Sequence, residues 1–145
     1  MGSISVITIG LFLVTIALLA LITDIGSVAV AKRSLVHVTE SAAIRAAHMI
    51  NERSYYEDGA SPGVPIDCPA ARQEVNEEFD SWMQSSISSR RPELESIWVT
   101  NFSCAGAFLE LAASARARLP FRLPSSSVAF VEIHSTVAVQ SDRNG

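Results

Sequence analysis

The chain has 145 residues and a net charge of −4, and 48% of its residues are hydrophobic. This length suits one modest domain with an anchor better than two domains. Residues 51–145 carry eight basic and 13 acidic side chains. We expect no nucleic-acid partner, because nucleic-acid phosphates need a basic surface.

The first predicted element is a membrane-spanning helix. Residues 1–23 contain no charged side chain, and the apolar run over residues 4–22 would span roughly 28 Å as a helix, about the thickness of the hydrocarbon core of a bilayer. A cleaved signal peptide is the alternative, but it would need a basic start, a shorter apolar core and a small-residue cleavage site. The sequence lacks these features before Asp24 and favours an uncleaved anchor.

The helix is predicted to continue beyond the membrane as a stem. Residues 24–50 contain no proline and only one glycine, so one helix over residues 4–50 would be about 70 Å long. Apolar residues recur at helical spacing along one face of the stem, namely Leu35, Val38, Ala42, Ala46 and Met49. We expect residues 1–50 to form the transmembrane and stem helix, with its second half against the head or a neighbour, and residues 51–145 to form the head.

Several positions on this helix are candidate assembly residues. Gly10, Gly26, Ala42 and Ala46 are small enough to let another helix approach closely. Asp24 lies at the edge of the apolar run, where an unpaired carboxylate costs a few kcal/mol. Asp24 is therefore predicted to act in subunit contact, and the alternative is a carboxylate hydrated among lipid headgroups.

The head is predicted to contain a short helix and three antiparallel strands. A loop over residues 55–69 precedes a helix over residues 70–87, whose acidic residues Glu74, Glu77, Glu78 and Asp80 should mostly face solvent. Strands follow over residues 97–104, 108–121 and 128–140, with a tight turn at Gly106. The inward positions are Leu109, Leu111, Ala113, Ala115, Ala117, Val131, Ile133, Val137 and Val139, and the outward ones are Glu110, Ser114, Arg116, Arg118, Glu132, His134 and Thr136. The predicted fold class is α+β.

Cys68 and Cys104 are the two cysteines of the chain. We expect them to form a disulfide in an oxidising compartment, and the alternative is a pair of buried free thiols. Lys32 and Arg33 follow the membrane span, and the positive-inside rule alone would place the head in the cytoplasm. The disulfide indicates the opposite, and we give it more weight.

The stem resembles the TadE/TadG-like minor pilins of the tight-adherence (Flp) pilus, within the type IV pilin-like class. The similarity rests on Gly2-Ser3 before an apolar helix, Asp24-Ile25-Gly26 near its end, then Leu35 and the alanine-rich residues 41–47. It implies a pilin-like fold, a bacterial membrane location with the head outside the cytoplasm, and pilus subunits as partners. Pilins of this class usually carry an acid five positions into the mature helix. Here Val6 or Ile7 takes that place, which favours a tip, base or accessory role.

No motif predicts an enzyme, a cofactor, a metal site or a small-molecule substrate. His37 and His48 are too far apart along a helix to share a metal ion. Catalytic partners are not evident for His134 or for the serines at 125–127. Asn101 begins a formal glycosylation sequon inside a predicted strand, and Arg90-Arg91 reads as a solvated helix end.

The leading hypothesis is a minor pilin or pseudopilin-like structural subunit of a Tad-like pilus or secretion machine. The alternative is a signal-anchored extracytoplasmic binding module that is tethered to the membrane.

Overall fold

The computed structural model describes residues 3–57, 63–88, 94–120 and 130–141. The elements run in the order α1 (Ser3–Ala47), α2 (Glu52–Glu57), α3 (Cys68–Ser88), β1 (Leu94–Ala105), β2 (Phe108–Arg118) and β3 (Phe130–Gln140). The predicted α+β class is therefore confirmed, with a long apolar helix followed by a helical segment and an antiparallel sheet.

Helix α1 is one continuous rod of 45 residues, which corresponds to about 67 Å. It passes through Asp24 and Gly26 without a break, as the sequence predicts. It ends at Ala47, three residues before the predicted end. The backbone that follows leaves the helix because Ile50 forms an isolated antiparallel bridge with Ile66. The amide of Asn51 donates to the carbonyl of Pro65 at 2.9 Å, and the amide of Asp67 donates to the carbonyl of Met49 at 2.6 Å.

The two halves of α1 have different surroundings. The large apolar side chains from Val6 to Ile25 are 48–71% exposed. The first buried side chain is Ala31, and from there one face of the helix is fully covered by the head. The helix is thus a bare apolar rod at one end and a core element of the head at the other.

The three strands form an antiparallel meander in the order β1-β2-β3. The β2–β3 register is regular over the whole length of both strands, whereas β1 carries irregularities that skip Glu95 and Thr100. Strands β1 and β2 are joined by a two-residue loop, Gly106-Ala107, in which Gly106 has φ +59°. That left-handed conformation is the one glycine adopts without steric cost, and it suits a tight hairpin.

The inward face of the sheet is largely as predicted. Its five predicted β2 residues are all buried, and Ile133 is the most buried of the four predicted β3 residues. Strand β1 starts at Leu94, earlier than predicted, because Leu94 is buried and pairs with Ala117. Strand β2 ends at Arg118, and both Phe121 and the predicted start of β3 at residue 128 lie outside the described residues.

One outward prediction is wrong. Ser114 alternates onto the face away from the helices, but its side chain is fully buried. Trp98 and His134 pair with it from the two neighbouring strands, and its hydroxyl lies 2.7 Å from Nδ1 of His134. The larger side chains of Trp98 and His134 cover Ser114. The alternation along β2 therefore predicts which face Ser114 lies on, but not how exposed its side chain is.

The core lies between the sheet and two helices. Helix α1 packs on β2 and β3, and α3 packs on β1. Small side chains meet on both sides of the α1–sheet contact, with Ala31, Ala42, Ala43 and Ala46 from the helix and Ala113, Ala115 and Ala117 from β2. Leu35 and Leu111, both with no exposed surface, fill the space between them.

The segment before α3 differs from its prediction as a loop. Residues 52–57 form the short helix α2, and α3 begins at Cys68 rather than residue 70. Asp67 caps α3, since its Oδ1 accepts the amide of Ala70 at 3.1 Å. Residues 58–62 of the predicted loop lie outside the described residues.

The predicted disulfide is present between Cys68 and Cys104, with Cα atoms 5.7 Å apart. It joins the first turn of α3 to the end of β1. Beside it, the amide of Ile66 donates to the carbonyl of Gly106 at 2.9 Å, and the amide of Val64 donates to the carbonyl of Ser141 at 3.1 Å. These bonds hold the chain between α2 and α3 against the tip of the sheet.

Candidate functional site: the N-terminal helix

Residues 5–30 of α1, which we call the bare half, present apolar side chains in every direction. Among the described residues, one helix is long and apolar enough to cross a membrane, the segment Ser5–Ala47, and no part of its most apolar window is buried. Residues 5–30 precede the first buried side chain and span about 39 Å, compared with roughly 30 Å for the hydrocarbon core. Apolar surface of this extent is stable in lipid or against other apolar helices, and not in water.

Hydroxyl groups within this half are satisfied by the helix itself. Thr15 Oγ1 donates to the carbonyl of Leu11 at 2.9 Å, and Thr23 Oγ1 donates to the carbonyl of Leu19 at 2.8 Å. Thr8 and Ser27 make the corresponding bond to the residue three positions earlier. This bonding lowers the cost of placing these side chains in an apolar environment.

The two glycines predicted as assembly positions are open to a partner. Gly10 and Gly26 are exposed, and a Cβ atom added at either would meet nothing within 4 Å. Neither glycine is therefore needed for packing within the chain. Their role in contact with another helix remains a prediction.

Asp24 lies where the character of α1 changes. It is partly buried, seven residues before Ala31 begins the core. If Ser5 lies at one edge of the hydrocarbon core, Asp24 lies about 29 Å further along the helix, at the other edge. The location of Asp24 at the membrane boundary and its part in subunit contact both remain predictions.

The two alanines predicted as assembly positions are used inside the head. Ala42 and Ala46 have no exposed surface and belong to the core formed with the sheet. A neighbouring subunit has no access to them in this conformation. The close approach that their small size permits is the approach of α1 to the rest of its own head.

A polar contact between α1 and α3 was missed by the sequence analysis. Arg45 lies 3.1 Å from Glu78 and 4.0 Å from Glu74, and Ser41 Oγ donates to Oε1 of Glu78 at 3.1 Å. The prediction that the acidic face of α3 is solvated holds for Glu77 and Asp80, which are exposed, but Glu74 and Glu78 are partly buried toward α1. The i, i+4 spacing of these two glutamates was the available signal.

The other residues considered for chemistry are dispersed. His37 is exposed on α1, His48 is exposed just beyond its end, Asn101 is exposed on β1, and His134 contacts Ser114. Within the described ranges no group of three or more metal-ligating side chains comes together. Arg90, Arg91 and the serines at 125–127 lie outside those ranges.

Comparison with known families finds a match for this helix. Residues 2–49 match the TadE/G-like Flp pilus-assembly family. The matched segment covers α1 and ends two residues beyond it, so the resemblance noted in the stem is confirmed over that segment. No curated protein and no solved structure matches the chain. The family match associates the N-terminal helix with Flp pilus assembly and does not extend to residues 50–145.

Proposed function

We propose that this protein is a minor pilin or pseudopilin-like structural subunit that acts in assembly of a Tad-like pilus or a related secretion machine. The observation that carries the proposal is the division of one unbroken helix into a bare apolar half and a half that forms the core of the head. Such a helix can hold the subunit in a bilayer first and pack against other apolar helices afterwards. The family match over the same residues supports this reading.

The head is proposed to lie outside the cytoplasm. The pairing of Cys68 with Cys104 supports this side of the membrane, because disulfides persist mainly in oxidising compartments. Lys32 and Arg33 would favour the opposite orientation by the positive-inside rule. Two basic residues beyond a span are a weaker signal than a disulfide that links α3 to the sheet.

The lack of an acid near the start of α1 favours an accessory position in the machine. The first turns contain Val6 and Ile7, and no acidic residue occurs before Asp24. A subunit in the repeating part of a fibre would use an acid there to meet the terminal amine of its neighbour. A tip, base or accessory role requires no such pairing in every repeat.

Site-specific photo-crosslinking in the native host tests the assembly role. Phe12 on the bare half of α1 and Phe108 at the tip of the sheet are 66% and 59% exposed, so either accepts a photoreactive phenylalanine analogue without disturbing the core. We expect the position 12 variant to form adducts with other pilus subunits and the position 108 variant to form few. Adducts with a protein partner from position 108 alone would contradict assembly through the helix and favour the tethered binding module.

A further inference from the structure

A groove runs between α1 and α3 just beyond the bare half of α1. It has a volume of about 370 Å³, within the range of roughly 300–1,000 Å³ found for ligand sites. Helix α3 runs back toward the bare half, since Glu78 lies beside Ser41 and Trp82 lines the groove with Val30. We propose that this groove binds the headgroup of an anionic phospholipid from the membrane that α1 crosses.

The groove continues the apolar surface of the membrane-spanning segment. Its lower wall is Val30, which is 52% exposed and follows the exposed Ile25 along the same helix. The bare half is about 9 Å longer than the hydrocarbon core, and the headgroup layer on each side is about 5–8 Å deep. With Asp24 at the edge of the hydrocarbon core, Val30 lies about 9 Å beyond that edge, at the outer side of the headgroup layer. The Cα–Cβ bonds of a helix tilt toward its N-terminus, so the long side chain of Arg33, one turn further out, can reach back to the lipid phosphates.

The side chains that line the groove fit a phosphate group. Arg33 is exposed and offers a guanidinium fork, which binds phosphate through paired hydrogen bonds. His37 lies one turn further on the same face and can donate a hydrogen bond from its ring. Trp82 forms the α3 wall and is partly buried, and tryptophan is the residue most typical of the membrane interface together with tyrosine.

The acidic residue in the groove does not oppose this assignment. Glu78 also lines the groove, but its carboxylate accepts a hydrogen bond from Ser41 and pairs with Arg45. Arg45 thus offsets part of its charge, and the same guanidinium also lies 4.0 Å from Glu74. Arg33 has no ion pair among the described contacts. Its guanidinium can therefore pair with a phosphate bound in the groove.

The structure also provides a matched control for Arg33. Lys32 is adjacent in sequence and lies at the same depth, but it points about 100° away around the helix and does not line the groove. A general attraction of basic residues to an anionic surface would depend on both side chains equally. Binding of a headgroup within the groove would depend on Arg33 and not on Lys32.

The test uses the full chain in nanodiscs. Trp98→Phe leaves Trp82 as the one remaining tryptophan, and Trp98 lies on the far face of the sheet beside Arg116. Quenching of Trp82 by a headgroup spin label is measured as the share of phosphatidylglycerol in a phosphatidylcholine disc is raised. We expect quenching to rise with phosphatidylglycerol, Arg33→Gln to weaken the apparent affinity about fivefold, and Lys32→Gln to leave it nearly unchanged.

The possible results separate the alternatives. Equal quenching in both lipids, or equal losses in the two Gln variants, would overturn the groove as a headgroup site. Arg33→Lys, which keeps the charge and loses the paired hydrogen bonds, should retain part of the affinity. The inference rests on the proposal that α1 spans a bilayer, and a chain that fails to enter nanodiscs at all would contradict that proposal instead.

Discussion

At the scale of single residues, alanines determine how closely residues 31–47 of α1 pack against the rest of the head. Alanines of α1 and alanines of β2 belong to one buried core, and almost none of their surface is exposed. Larger side chains at these positions would hold the helix away from the sheet and open gaps around Leu35 and Leu111. The sequence indicated the face of these alanines through their helical spacing, but it did not indicate whether a neighbour or the head would cover them.

Ala46→Leu should therefore destabilise the head. The added atoms have no space in the fully buried contact, and overpacking of this kind costs roughly 1–3 kcal/mol. Ile44→Leu is the matched control, because Ile44 is two positions away on the same helix and 51% exposed. Denaturant unfolding of the full chain in detergent, followed by tryptophan fluorescence, measures the difference. A stability equal to that of the control would contradict the close alanine contact.

At the scale of elements, the long helix and three strands were predictable because each has a clear period. The continuous α1 lacks breakers, and β2 and β3 alternate in a way that marks their inner faces. Helix α2 was missed because its six residues, Glu52–Glu57, show no apolar period. The sequence did not predict that Glu74 and Glu78 face α1, because their partner Arg45 belongs to that other helix. A helix face that is acidic because it faces solvent has the same composition as one that pairs with a basic residue of a neighbouring element.

The disulfide between α3 and β1 also acts at this scale. Its removal by Cys68→Ser with Cys104→Ser should lower the free energy of unfolding of the head by roughly 3–4 kcal/mol, because a loop of this length is no longer closed in the unfolded chain. Urea unfolding of the oxidised chain and the double variant measures the loss. Thiol labelling of the unreduced, denatured chain should find no free cysteine. Two labelled thiols would contradict the pairing and would remove the main support for an extracytoplasmic head.

At the scale of the whole molecule, one rod serves two environments. Within residues 5–30, Val28 packs against the core of the head at its margin, whereas residues 31–47 contribute a large part of that core. The predicted boundary at residue 50 separates chain segments, but the packed head also includes the second half of α1. Residues 1–22 can thus be removed without opening the core, which separates anchoring from folding.

Removal of residues 1–22 tests whether the N-terminal part of α1 anchors the chain in the membrane. At about 25 cal/mol per Å² of apolar surface, we expect the bare half and not the head to hold the chain in lipid. After an alkaline wash that strips peripheral proteins, the full chain should remain in the membrane fraction, and residues 23–145 should be soluble, monomeric and folded with the disulfide intact. A truncated chain that stays in the washed membrane fraction, or a full chain that is released from it, would contradict membrane anchoring by the N-terminal part of α1.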